Sequence, residues 1–268
     1  MASRTVKPAS VCDKRWLIMA DDFDALVLLP GALLEPSESL LRRLGASRRV
    51  VVLTYPDATR MADLADAIAR ELSTAGIEHA AVLGSSYGGW VAQCLGRRHP
   101  ELVRRLILVH TFALQPDAAK RFRLGLKIWK AIPGPLSRGL MKARVRRMLS
   151  PLHDSSPDEY QRVLTHVGQL VQAPETSAAL LRQNACMLDS VTSFPIAPSD
   201  LARLAGKILI IESDDDPAIR APERAHLRAM YPGAKVRTFH GTGHITALVR
   251  PDEFVGAVDE FLAAPGSA

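Results

Sequence analysis

The sequence predicts an α/β fold: a mostly parallel central sheet flanked by helices. Three observations carry this. Short, wholly apolar runs recur along the chain, amphipathic stretches separate them, and one long stretch that reads only as helix interrupts the alternation. Short apolar runs suit strands buried on both faces, as in a parallel sheet covered by helices. Strand–helix alternation implies right-handed crossovers between neighbouring strands.

The elements follow in order. Ala25–Leu29 is the first expected strand and ends at Pro30-Gly31. Arg49–Leu53 holds three consecutive valines and ends near Pro56. Met61, Leu64, Ala65, Ile68, Ala69 and Leu72 then recur at three- and four-residue spacing, which paints one face of a helix. His79–Leu83 runs into Gly84, and the helix after it carries Val91, Ala92 and Leu95 and stops before Pro100. Leu106–Val109 is the next strand. From about Phe112 to Asp200 only helices are expected, three or four of them, broken at Pro133-Gly134-Pro135, Ser150-Pro151 and Pro174. Within that stretch Ser156-Pro157-Asp158-Glu159 reads as a capping box ahead of Val163, Leu164, Val167, Leu170 and Val171. Ile208–Ile211 and Lys235–Phe239 resume the strands. The last helix opens on Pro251, Asp252 and Glu253, a proline and two acids suited to the positive end of the helix dipole, and buries Phe254, Val258, Phe261 and Leu262.

Bulk properties narrow the function. With 268 residues, the chain fits one domain or one core with a small inserted module. An apolar fraction of 47% and a charged fraction of 23% suit a packed core and argue against disorder. The net charge of +6 is not a nucleic-acid footprint, because aromatics for base stacking are only 5% of residues. Cys12, Cys94 and Cys186 are odd in number and form no CxxC pair, so reduced thiols in a cytoplasm are expected rather than a disulfide framework or a zinc site. Met1 to Asp13 lacks the apolar segment of a signal peptide, and no apolar run approaches the roughly 18 residues of a membrane span. A cytoplasmic protein without stable membrane insertion is expected.

The chemistry lies in Gly84-Ser85-Ser86-Tyr87-Gly88, a G-x-S-x-G motif between an apolar strand and a helix. That setting is what a nucleophile elbow requires: the serine sits on a very sharp turn, and the positions two before and two after it must lack bulk because strand and helix nearly touch. Only Ser86 has glycine on both sides at that spacing, and Gly89 extends the small stretch. The alternative is a plain glycine turn with an idle serine. A serine hydroxyl needs a base. His244, in Gly241-Thr242-Gly243-His244 after the Lys235–Phe239 strand, is the expected base, with His240 as its competitor; His79, His99, His110, His153, His166 and His226 read as surface or helix-end residues. An acid must orient the imidazole, and Asp214-Asp215-Asp216 follows the Ile208–Ile211 strand. Three acids in a row cannot all point into one site; Asp216 is the first choice and Asp215 the second. An oxyanion hole would take the amide of Tyr87 and one from Pro30-Gly31-Ala32-Leu33, at Ala32 or Leu33.

The elbow, the aspartate loop after a late strand and the terminal G-x-G-H together resemble the α/β-hydrolase superfamily, from about Leu26 to Leu262. The resemblance implies a core at residues 14–112 and 197–265 and a helical cap, or lid, at 113–196. The family's usual G-x-x-D-x-x-x-P loop has Ser213 in place of its glycine and Arg220 in place of its proline, and counting from Ser213 gives Asp216. Leu29-Pro30-Gly31-Ala32, Thr54-Tyr55-Pro56 and Gly84 through Gln93 are similar to maspardin and its bacterial relatives. Maspardin lacks the terminal histidine, so His244 points to a working triad here. The frequent His-Gly of the oxyanion loop is Pro30-Gly31 in this chain.

The expected cap carries Lys120, Arg121, Arg123, Lys127, Lys130, Arg138, Lys142, Arg144, Arg146 and Arg147, with no Asp or Glu between Ala118 and His153. Two amphipathic helices with a solvated basic side account for this. A lid with an apolar inner face and a cationic rim, or contact with an anionic membrane surface, would use it. The leading function is a serine hydrolase cleaving an ester or thioester of a small, largely apolar substrate through an acyl-enzyme. The alternatives are a catalytically silent ligand- or protein-binding chain and a non-hydrolytic acyltransferase, lyase or cyclase. No metal or organic cofactor and no nucleic acid is expected; a homodimer is possible.

Overall fold

The structure, a computed structural model, describes residues 23–113, 118–132 and 134–264. Cys12 and the part of the expected core from residue 14 to 22 lie outside the described residues, as do the side chains of Arg121 and Lys130.

Among the described residues six strands form one sheet in the order β2-β1-β3-β4-β5-β6. They are β1 (Ala25–Leu29), β2 (Val50–Val52), β3 (Ala80–Ser85), β4 (Val103–Val109), β5 (Ile208–Ser213) and β6 (Lys235–Phe239). All five pairings are parallel. Every residue of β1 and β5 is buried, so these strands read as continuous apolar runs rather than as alternations. Alternate side chains feed two cores. Ala25, Val27 and Leu29 join Met61, Ile68 and Trp90 on one face, while Leu26 and Leu28 join Leu44, Phe254 and Val258 on the other.

Helices α1 (Glu38–Leu44), α2 (Met61–Thr74) and α3 (Tyr87–Arg98) fill the crossovers of the first half, and α9 (Ala221–Met230) fills that between β5 and β6. After β6 come α10 (Thr246–Val249) and α11 (Pro251–Ala263), the latter starting at the expected proline. On β4, Arg105 is buried, and its guanidinium donates to the carbonyls of Phe261 (2.9 Å) and Ala264 (2.7 Å), capping the end of α11.

Between β4 and β5 the chain is helical, as the sequence implies, but the described residues there form five α-helices rather than three or four helices, α4 (Ala118–Ala131), α5 (Gly134–Met148), α6 (Ser150–Ser155), α7 (Pro157–Leu170) and α8 (Pro174–Thr192), followed by a 3-10 helix at Pro198–Leu204. The extra element is the single-turn α6, too short for a periodic signal. Pro157 does open α7, but the Ser156 side chain makes no capping bond, so the box is present in sequence only. Val145, Leu149, Leu152, Val167 and Val171 form a further, small core together with Ile245. Trp90 on α3 is buried and donates its indole N–H to Ser190 Oγ on α8 (2.8 Å), tying the insertion to the sheet layer. No described helix is long and apolar enough to cross a membrane. Cys94 and Cys186 are free thiols, both buried.

The tightest packing is where α3 crosses β1. A Cβ at Gly88 would run into the Leu29 and Pro30 carbonyl oxygens. Gly256 in α11 has nothing within 4 Å. Gly88→Ala is therefore expected to destabilise the fold by about 1–3 kcal/mol or more. Gly256→Ala is expected to stabilise it by up to about 1 kcal/mol through helix propensity. Thermal unfolding of the two variants checks this; equal midpoints would contradict the packing argument.

Candidate active site

Ser86 occupies the turn between β3 and α3 with φ 52° and ψ −115°, a left-handed backbone uncommon outside glycine. Such strain persists only where the surroundings over-determine it, and here they do. The Ser86 amide donates to the Val109 carbonyl (2.9 Å), and the Thr111 hydroxyl donates to the Ser86 carbonyl (2.7 Å). A Cβ at Gly84 would meet the Gly88 backbone, and one at Gly89 would lie 2.5 Å from Thr111 Cβ. The bulk-free positions expected around the serine are thus each demanded by contact. The turn leaves Ser86 at the mouth of α3, where the Tyr87 amide belongs to the first, unpaired turn of the helix.

The loop after β1 approaches from the side: a Cβ at Gly31 would stand 3.5 Å from Ser86 Cβ. The Tyr55 hydroxyl fixes this loop by donating to the Pro30 carbonyl (2.7 Å), and the Tyr55 ring meets that of Tyr87 edge-on at 5.2 Å. Burial pushes both phenols well above their ordinary values, so they act as neutral donors.

The three aspartates separate cleanly. Asp214 is exposed and pairs with His240 (2.6 Å), itself exposed; the two form a surface ion pair away from the serine turn. Asp215 accepts from Ser213 Oγ (2.5 Å) and from the Gly243 amide (3.0 Å), bracing the loop that carries His244. Asp216 is buried and lies 2.8 Å from His244 Nδ1 through its Oδ2. Its Oδ1 accepts the amides of Ala218 (2.7 Å) and Ile219 (3.0 Å). The structure therefore brings Asp216, not Asp215, to His244.

One residue departs from the sequence reading. His110, expected at the surface, is buried just after β4 with φ 45°. Its Nδ1 lies 3.0 Å from the same Asp216 Oδ2, and its Nε2 lies 2.8 Å from Thr246 Oγ1. A parallel strand that ends beneath the β5 loop puts its next side chain under that loop, and the partner is 106 residues away in sequence. Burial alone would raise the Asp216 carboxyl, but the imidazole bonds from His110 and His244 outweigh it and hold the carboxyl well below its ordinary value. Burial keeps the His110 imidazole below its own ordinary value, against the pull of Asp216. Among the described residues, His110, Asp216 and His244 are also the set with metal-ligand atoms within 4.8 Å of one another; the 2.8 and 3.0 Å contacts between them are those of hydrogen bonds.

Ser86, Tyr87, Ala32, Leu33 and His244 line one cavity of about 840 Å³. Met141 and Val145 from α5 and Met187 from α8 supply apolar walls; Arg144 and Arg220 stand at it as cations.

Known proteins agree with this architecture. A relative from Pseudomonas putida, 2-hydroxymuconate semialdehyde hydrolase, is 29% identical over 200 residues, which cover 72% of this chain and 65% of that protein, just under two thirds of its length. An alpha/beta hydrolase from a Medee basin deep-sea metagenome library superposes with a TM-score of 0.71 at 15% identity, covering 92% of each chain. The 2-hydroxy-6-oxo-6-phenylhexa-2,4-dienoate hydrolase of Rhodococcus sp. strain RHA1 does so with a TM-score of 0.67 at 20% identity, covering 90% of each. A model of the alpha/beta hydrolase family matches residues 26–257, a span running from within β1 into α11, and the chain belongs to that family.

Proposed function

We propose that the chain is a serine hydrolase that cleaves an ester or thioester of a small, largely apolar acyl group through an acyl-enzyme. One observation carries the reading: the strained Ser86 and His244 line a single apolar-walled cavity, and the buried Asp216 stands 2.8 Å from His244 Nδ1. An ionised Asp216 can only accept, so His244 holds its proton on Nδ1 and offers the Nε2 lone pair. In the proposed reaction Nε2 takes the Ser86 hydroxyl proton as Oγ attacks the acyl carbon. The oxyanion forms toward the Tyr87 amide and an amide of the Ala32 loop. The intermediate collapses, the bond to the leaving oxygen or sulfur breaks, and the imidazolium returns its proton to that atom. Water, deprotonated by the same nitrogen, then attacks the acyl-enzyme and releases the acid and free Ser86. Side chains and backbone suffice for these steps. In this reading α4 to α8 act as the lid over the acyl pocket. The maspardin-like segments supply the oxyanion loop, the Tyr55 brace and the elbow.

A second reading is favoured by the Pseudomonas putida relative. The substrate in that protein's name carries a carboxylate and no ester or amide, so its hydrolysis breaks a carbon–carbon bond. Arg144 at the cavity is a suitable partner for such a carboxylate, whereas Arg220 is paired with Glu223 (2.8 Å). A screen of p-nitrophenyl esters of graded chain length, run beside a 2-hydroxymuconate semialdehyde, separates the two.

Three outcomes test the assignment. Ser86→Ala is expected to abolish ester hydrolysis and labelling by a fluorophosphonate while the circular dichroism stays native; activity near wild type would sink the assignment. His244→Ala is expected to cost roughly 10⁴–10⁶ in turnover, whereas His240→Ala touches only a surface ion pair and is expected to be mild; equal losses would overturn the choice of base. Asp216→Asn is expected to cost roughly 10⁴ by favouring the wrong imidazole tautomer. Asp214→Asn is expected to be nearly silent and Asp215→Asn intermediate, through a loosened His244 loop. A larger loss at Asp215 than at Asp216 in turnover would contradict these roles.

A further inference from the structure

We propose that His110 is a positioning residue for the reaction: it donates a second imidazole N–H to the Asp216 carboxylate that orients His244, and so shares that carboxylate with the base. The inference rests on reading Ser86, His244 and Asp216 as the triad.

One imidazole is enough to use an orienting acid, so the second needs an explanation. His110 is not filler. An apolar side chain would fill the same space without burying two ring nitrogens. Both nitrogens are engaged. Because the ionised Asp216 only accepts, His110 holds its proton on Nδ1, and its Nε2 is left as an acceptor that faces the Thr246 hydroxyl (2.8 Å) and takes the Thr246 amide (3.4 Å). Asp216 then has four donors: two imidazoles on Oδ2 and the Ala218 and Ile219 amides on Oδ1. That saturates a carboxylate's roughly four acceptor positions. A carboxylate so surrounded attracts an imidazolium at His244 less strongly than one with three donors.

The same ring also steadies the base. Thr246 follows His244 by two residues and precedes the body of α10, and its Oγ1 lies 2.7 Å from Thr242 Oγ1 on the other side of His244. His110 thus touches both the acid and the loop that carries the base. The charged and titratable groups around it are few. Asp216 and His244 are in contact with it, and the carboxylate of Asp215 lies behind Ser213 and Gly243. Arg144, Arg220 and Glu223 line the cavity beyond His244. Arg224 donates to the carbonyls of Ile219 and Asp214, and Asp214 is paired with His240.

Two substitutions divide the ring's two bonds between them. The amide nitrogen of His110→Asn stands where Nδ1 stood, keeping the donor to Asp216 and losing Thr246; asparagine also tolerates the left-handed backbone. The longer His110→Gln reaches Thr246 and gives up the Asp216 donor. The readout is the rate at which a fluorophosphonate labels Ser86 as a function of pH, which needs no natural substrate. The acid limb of His110→Asn is expected to overlay wild type. That of His110→Gln is expected to move up by about 0.5–1 pH unit, a roughly three- to tenfold slower labelling on the acid side. A purely structural role would lower the unfolding midpoint of both and move neither limb. Limbs that superimpose in all three proteins, or that shift alike in both variants, would overturn the proposal. Should neither variant fold, ¹⁵N spectra of the wild-type histidines decide: a His110 ring protonated on Nδ1 and bare on Nε2 at neutral pH is expected, since burial disfavours its charged form, and a proton on Nε2 there overturns it. Labelling that survives in Ser86→Ala would instead bring down the hydrolase reading itself, which tells the two failures apart.

Discussion

Behind Ser86 three stretches of backbone meet with no side chain between them: the end of β1, the end of β3 and the first turn of α3. Gly84, Gly88 and Gly89 make that meeting possible, since a Cβ at any of them would collide with Gly88, Leu29 or Thr111. Much else follows from this contact. It sets how closely α3 lies on the sheet, and so how deep Trp90 sits; it turns Ser86 into its left-handed conformation; and it brings the Pro30–Leu33 loop alongside the serine. The strand order completes the arrangement. β3 and β5 both flank β4, so the loops after them open onto the same carboxyl edge, the usual location of sites in open α/β sheets.

The sequence revealed the strands because burial on both faces leaves an unbroken apolar mark, as in Ala25–Leu29 and Ile208–Ile211. It revealed Ser86 and His244 because their turns need glycine at fixed offsets. The choice among Asp214, Asp215 and Asp216 rested on a one-residue count along a loop, and adjacent carboxylates look alike in sequence. Only the folded chain distinguishes one that faces water and His240, one that braces Gly243, and one buried under His244. His110 was illegible for a similar reason. Its role lies in partners far along the chain, and nothing beside it announces a carboxylate overhead. The helix count failed at α6, where six residues leave no room for a repeat.

The insertion is more than a cover. Its cations Lys120, Arg123, Lys127, Arg138, Arg146 and Arg147 lie on exposed surface as the composition implied, but Leu124, Ile128, Leu136 and Leu140 are exposed among them. These helices are therefore not simply apolar inside and basic outside. Apolar and basic side chains share the outer surface, and Leu140 and Arg144 also reach the cavity. The region that would meet an incoming molecule first is thus mixed in character, whereas the residues around Ser86 are fixed by close packing.

The small core of the insertion includes one residue from outside it: Ile245, buried at 4% exposure, with Leu33 and Leu34 packed against the same cluster. Ile245 is the neighbour of His244, and Leu33 belongs to the loop beside the serine. The insertion is for that reason not an interchangeable module. A chimera that took the segment between β4 and β5 from another member of the family would have to bring a matching apolar socket for Ile245. Without one, the graft would leave a greasy side chain stranded beside His244, and a change meant to reshape the cavity wall would disturb the candidate site itself.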